Sequence, residues 1–82
     1  MRFLFPFITV ANALKYRKIF GETIRSRRKA LDMSQEKLAE KAELHHNYIG
    51  EVERGEKAAT IDTIMKIAKA LGVRAGDLFS NV

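Results

Sequence analysis

Residues 34–55, SQEKLAEKAELHHNYIGEVERG, decide how the rest of the chain is read. Ser34 stands where a helix N-cap belongs, because its hydroxyl can accept a free backbone N–H of the first turn. Lys37 occupies the position of a capping-box acid, so the full box is missing. Leu38, Ala39 and Ala42 recur at helical spacing and define a buried stripe. Glu36, Lys37, Glu40 and Lys41 face outward. Glu36–Glu40 and Lys37–Lys41 are like-charged at i,i+4, so packing rather than surface pairing must hold this helix. Glu43-Leu44 is a tight turn. A further helix starts at His45 or His46 and runs to about Arg54, with Ile49 and Val52 turned inward. Gly55 is placed as the left-handed residue that ends it. The stretch therefore predicts two short helices and a turn, the second helix apolar on one side and polar on the other.

Upstream, Asn12 is a candidate cap for a helix beginning at Ala13. Tyr16, Ile19, Phe20, Ile24 and Leu31 give it an apolar face. Gly21 sits inside this helix at a cost of about 1 kcal/mol relative to Ala, which points to a close helix contact or to two segments meeting there. Arg25, Arg27, Arg28 and Lys29 crowd the C-terminal half. They suit the negative end of the helix dipole and equally suit phosphate. Downstream, Glu56–Ala59 is a loop and Thr60 caps a helix from Ile61 to Leu71. Ile61, Ile64, Met65, Ala68 and Leu71 form the expected apolar face, and Gly72 ends it. A last short helix is expected near Arg74–Phe79. The whole reads as an all-α, five-helix domain over residues 12–82.

Residues 1–11, MRFLFPFITVA, are aromatic and β-branched without a polar face, and read as an N-terminal extension, either an arm or a disordered segment. Their crude signal-peptide shape is weakened by the short apolar run and by Pro6. No apolar run reaches the 18–20 or so residues needed to span a membrane. The net charge is +5, and Arg2, Lys15, Arg17 and Lys18 in the first 19 residues account for most of it. A charge this modest favours nucleic acid only weakly over plain solubility. With no cysteine among 82 residues, disulfides and thiolate metal sites are excluded, which fits a cytoplasmic protein.

No catalytic set is present. His45 and His46 are adjacent, lack a third ligand, and would point apart on a helix, so no metal or other cofactor is expected. There is no phosphate-cradling glycine loop and no activated nucleophile. The two-helix unit carries a different chemistry. A helix that enters the major groove needs a small residue where its partner crosses it, and Ala39 provides one. It needs branched apolar residues on its inner face, supplied by Ile49 and Val52. It also needs short or polar side chains at its front, and His46, Asn47 and Gly50 fit. Asn47 can bond bidentately to adenine. Gln35, at the start of the preceding helix, can donate to phosphate. Tyr48 contacts phosphate or packs over the domain edge; His46 reads bases or is a solvated surface residue.

SQEKLAEKAEL followed by HHNYIGEVERG resembles the Cro/repressor, or xenobiotic-response-element, type of helix-turn-helix. The resemblance covers about residues 16–80; within the family, residues 44–55 are similar to the small controller proteins of restriction–modification systems and also resemble many phage and plasmid regulators. It implies base contacts from His46, Asn47 and Glu51, and phosphate contacts from Gln35, Arg54, Lys57 and Thr60. It also implies a partly buried salt bridge between Arg28 and Glu53, which makes Arg28 structural. Two departures stand out. Glu43 occupies a turn position often held by Gly, where a positive φ would strain it. Ala58-Ala59 replaces a more polar loop.

The expected function is sequence-specific binding of double-stranded DNA by a homodimer on a short palindromic operator, regulating transcription from the cytoplasm without membrane association. Leu78 and Phe79 are the candidate dimer surface. The alternative is an antitoxin-like interaction module whose main partner is a protein, docked through residues 3–10.

Overall fold

The structure, a computed structural model, describes residues 5–81, with side chains from Asn12 onward. Residues 1–4, Val82 and the side chains of 5–11 lie outside it, and so does the docking role expected of residues 3–10; the backbone of 5–11 forms the start of the first helix. Four α-helices follow one another: α1 Phe5–Ala30, α2 Gln35–Lys41, α3 His46–Glu53 and α4 Ile61–Leu71. A 3₁₀ turn, Ala75–Phe79, closes the chain. The described residues are all-helical, but the count is four α-helices rather than five. The last segment has only five residues and includes Gly76, too short for an α-helix to recover its nucleation cost. It is closed instead by Asp77, which accepts the Arg74 N–H at 3.0 Å and donates its own N–H to the Arg74 carbonyl at 3.0 Å.

α1 begins earlier than the Asn12 cap predicts. Pro6 falls in its first turn, where the missing N–H has no helical acceptor anyway. Asn12 therefore lies within the helix and caps nothing. Ser34 and Thr60 do act as caps, accepting the Lys37 and Thr63 N–H groups at 3.0 and 3.2 Å. All four helices end in the same way, on a left-handed residue followed by a bond back to the carbonyl five positions earlier. The left-handed residues are Asp32, Glu43, Gly55 and Gly72, and the closing bonds include Leu44 N–H to the Ala39 carbonyl at 2.8 Å. Glu43 adopts φ 56°, so it takes the left-handed conformation despite carrying a side chain. The strain is tolerated because the turn is pinned at both ends, by Ala42 and by the Leu44 bond. Glu43→Gly is expected to relieve that strain and, after the entropy glycine loses on folding, to raise stability by about 0.5 kcal/mol. Urea denaturation of the two proteins measures this, and a loss of stability would refute it.

The core is assembled from one face of each element. Ile24, Leu38, Ile49, Val52, Ile67 and Leu78 are fully buried, with Phe20, Ala39, Ala42, Ala68 and Leu71 around them. α2 and α3 bury the residues their spacing predicts. α4 does not: its inner face is Thr63, Ile67, Ala68 and Leu71, while Ile61 and Met65 remain 78% and 55% exposed. Its apolar stripe is wider than the core it covers, and α2 together with the 3₁₀ turn chooses which part of the stripe faces in. The outer ends of the predicted α1 stripe are exposed as well, at Tyr16 and Leu31. At the α1–α3 crossing Gly21 is buried directly under the last turn of α3. A Cβ there would fall inside contact distance of the Val52 carbonyl oxygen and 2.6 Å from that of Glu53. Of the two readings of Gly21, this is the close helix contact.

Candidate nucleic-acid interface

α2 and α3 pack against each other and α3 against α1, so α3 is clamped along its inner side by Ile49 and Val52. Its hold is reinforced by a buried polar knot. Arg28 donates through Nε and Nη2 to the two carboxylate oxygens of Glu53, at 2.7 and 3.0 Å, and through Nη1 to the Met33 carbonyl at 2.8 Å. Glu53 also accepts the Gln35 side-chain amide at 3.0 Å. Three elements are thus tied at one carboxylate. The Glu53 hydrogen bonds hold the Arg28 guanidinium above its usual basicity, against the opposing effect of burial. It is therefore charged throughout the neutral range, and a bidentate pair of this kind is both strong and directional.

The outer side of α3 is polar and open. His46 and Asn47 are exposed at its front, and Glu51 is partly exposed one turn on. The helix starts in an unusual way. His45 is the N-cap, with extended backbone at φ −61° and ψ 140°, and its Nδ1 accepts the Asn47 N–H at 3.3 Å. Because His45 is not yet helical, its ring turns alongside that of His46, with centroids 4.4 Å apart, rather than pointing away. Sequence reasoning left the start between these two histidines and assigned no cap; a His immediately before the first turn was the available signal.

The remaining candidates divide. Gly50 is buried, covered by Gln35 and Arg54; a Cβ there would come 3.2 Å from Gln35 Oε1 and 3.0 Å from Arg54 Nη1. It offers no surface to a base and serves as the gap across which these two side chains lie. Tyr48 packs on the edge of the core, donates its hydroxyl to the Ala58 carbonyl at 3.4 Å, and has Lys57 Nζ 5.7 Å from its ring centre. In the free protein Tyr48 thus has the packing position, one of its two readings. Thr60 uses its hydroxyl on the cap and on Thr63, 2.8 Å away. Lys57 lies 3.7 Å from Glu51. Arg54 is exposed and bound to Glu56, which raises the basicity of Arg54 and holds the Glu56 carboxyl below its ordinary range. Leu78 is fully buried beneath the surface and has nothing to present to a partner. Phe79 stacks on Phe20 at 5.0 Å and keeps 42% of its surface in solvent.

A short helix clamped on its inner side, polar on its outer side and preceded across a tight turn by a second short helix is the fold of a DNA-binding helix-turn-helix protein. The helix-turn-helix family model matches residues 24–78, and the chain belongs to that family of DNA-binding transcriptional regulators. It is 48% identical over 63 residues to the control protein C.BamHI of Bacillus amyloliquefaciens, covering 76% of this chain and 78% of that protein. It is 42% identical over 64 residues to the control protein C.SmaI of Serratia marcescens, covering 78% and 76%. The crystal structure of the restriction–modification controller protein C.AhdI from Aeromonas hydrophila superposes with a TM-score of 0.76 at 38% identity, over 77% of this chain and 96% of that one.

Proposed function

We propose that the protein regulates transcription in the cytoplasm as a homodimer bound to a short palindromic operator, with α3 in the major groove. The observation that carries this reading is the front of α3, where exposed His46 and Asn47 stand on a helix held rigid by the Glu53 knot and the Ile49–Val52 face. Asn47 reads a base edge bidentately, His46 contacts a neighbouring base, and Glu51 accepts from a cytosine amine or excludes wrong registers. Gln35, Arg54 and Lys57 face the phosphates on either side. Similarity to controller proteins supports assigning the chain to the control of a restriction–modification system.

A single copy offers few base contacts, and two copies about one helical turn apart (~34 Å) multiply them. Exposed Ile61 and Met65 share one face of α4 by their spacing, and Phe79 is the apolar residue left open by the 3₁₀ turn. These form the dimer surface, and Leu78, buried in the core, anchors the turn that carries Phe79.

Selection of bound sequences from a random duplex pool tests the reading: an inverted repeat is expected, and an asymmetric site would overturn the dimer. On the selected duplex, replacing His46 and Asn47 together by Ala is expected to lower specific affinity by about 10-fold or more, since each good base contact contributes about 1–3 kcal/mol. Affinity for unrelated duplex should change little. An unaltered ratio of specific to non-specific affinity would remove α3 as the reading helix.

A further inference from the structure

Glu56 has no part in the proposed DNA contacts, yet it occupies the side chain of one of them, Arg54. It follows Gly55, whose φ of 74° reverses the chain at the end of α3 and turns Glu56 back onto that helix. The result is a two-pronged contact: Arg54 Nε donates to Glu56 Oε2 at 2.7 Å, and Arg54 Nη2 donates to Oε1 at 3.2 Å. Two parallel N–H···O bonds to a planar or tetrahedral anion are also how a guanidinium grips a phosphate. Glu56 therefore uses the donors that a DNA backbone would use. Both side chains are more than half exposed, at 57% and 55%, so a competitor can reach the pair. The other end of the guanidinium lies over Gly50 beside Gln35, on the side where α2 and α3 meet.

We propose that Glu56 is an internal phosphate mimic, holding Arg54 in the free protein and giving it up when a DNA phosphate takes its place. This rests on the reading of Arg54 as a phosphate contact. Each protomer must break the Arg54–Glu56 pair to bind, and the released carboxylate then sits near the phosphates, so Glu56 lowers affinity for duplex of any sequence. It is a restraint on non-specific binding built into the turn after the recognition helix. An exposed pair is weak enough to exchange, and its removal is expected to tighten binding by about two- to five-fold for each bound protomer. The salt dependence should also steepen, because Arg54 then displaces counterions without a carboxylate recruiting one back.

The test is a double-mutant cycle on the full chain, using fluorescence anisotropy with a labelled mixed-sequence duplex of about two helical turns. Four proteins are compared: wild type, Glu56→Gln, Arg54→Gln and the double variant, each checked for an unchanged thermal transition. The proposal expects Glu56→Gln to bind tighter, Arg54→Gln to bind more weakly, and Glu56→Gln to have almost no effect once Arg54 is replaced. Equal tightening in both backgrounds would mean that Glu56 acts only as a distant negative charge, and the mimic is overturned. No tightening while Arg54→Gln still weakens binding also overturns it and leaves the Arg54 contact standing. If Arg54→Gln binds as well as wild type, the phosphate reading of Arg54 fails and the proposal fails with it.

Discussion

Gly21→Ala is expected to destabilise the protein by about 3 kcal/mol, although alanine is the better helix former by about 1 kcal/mol. The reason is where the added methyl would go. Its neighbours are the backbone carbonyls of Val52 and Glu53, not the ends of flexible side chains. Overpacking against a side chain relaxes through a new rotamer; against the last turn of a helix it relaxes only by moving that helix. Here the helix is α3, so the same substitution should displace His46 and Asn47 from the position in which they are proposed to meet DNA. For a domain of this size a loss of 3 kcal/mol corresponds to a fall in Tm of about 12–24 °C. Thermal melts of Gly21→Ala beside Glu22→Ala, its exposed neighbour, separate the crossing from a general effect on α1. A Gly21→Ala protein within 1 kcal/mol or so of wild type would mean the crossing yields more easily than its geometry indicates.

Glu53→Ala is expected to lose about 3–5 kcal/mol, since it strands a buried guanidinium that has no other charged partner among the described residues. Arg28 would retain only its bond to the Met33 carbonyl, and Gln35 would lose the acceptor that orients its amide. The cost is specific to breaking one side of the pair. Replacing both members together, Arg28→Met with Glu53→Leu, should recover most of the loss, because an apolar pair of similar volume does not have to be stripped of water as ions. Urea denaturation of the single and double variants measures both effects. A double variant as unstable as Glu53→Ala would show that the knot contributes shape that apolar side chains cannot reproduce. The pair adds no pH dependence in the neutral range from the arginine side: its raised pKa means the stabilisation is fully present below the ordinary arginine value and is lost as pH rises through the folded one.

Much of the architecture was legible from spacing alone. The Ser34 and Thr60 caps, the Leu38–Ala39–Ala42 stripe, the inward Ile49 and Val52 and the terminating Gly55 and Gly72 all follow from rules that act within one or two turns of chain. The failures have a common physical origin. Ile61 and Met65 have the right period for burial, and period alone does not say how wide a stripe the neighbours will cover. Leu78 and Phe79 are adjacent apolar residues, and only the packing of the 3₁₀ turn on α1 and α4 sends one inward and leaves the other partly open. Gly50 looks like open space at the front of a reading helix until Gln35 and Arg54 are seen lying across it.

Residues 34–55 by themselves determined that two short helices would meet across a tight turn and that the second would show a polar outer face, because periodicity and capping are local properties of the chain. Tertiary structure decided what each polar residue on that face is free to do. The Glu53 knot joins residues 25 and 18 positions apart in sequence, and the Gly55 reversal sets Glu56 on Arg54. Whether a side chain is available to a ligand depends on which partners the fold brings within about 3 Å of it, and that is a property of the packed molecule.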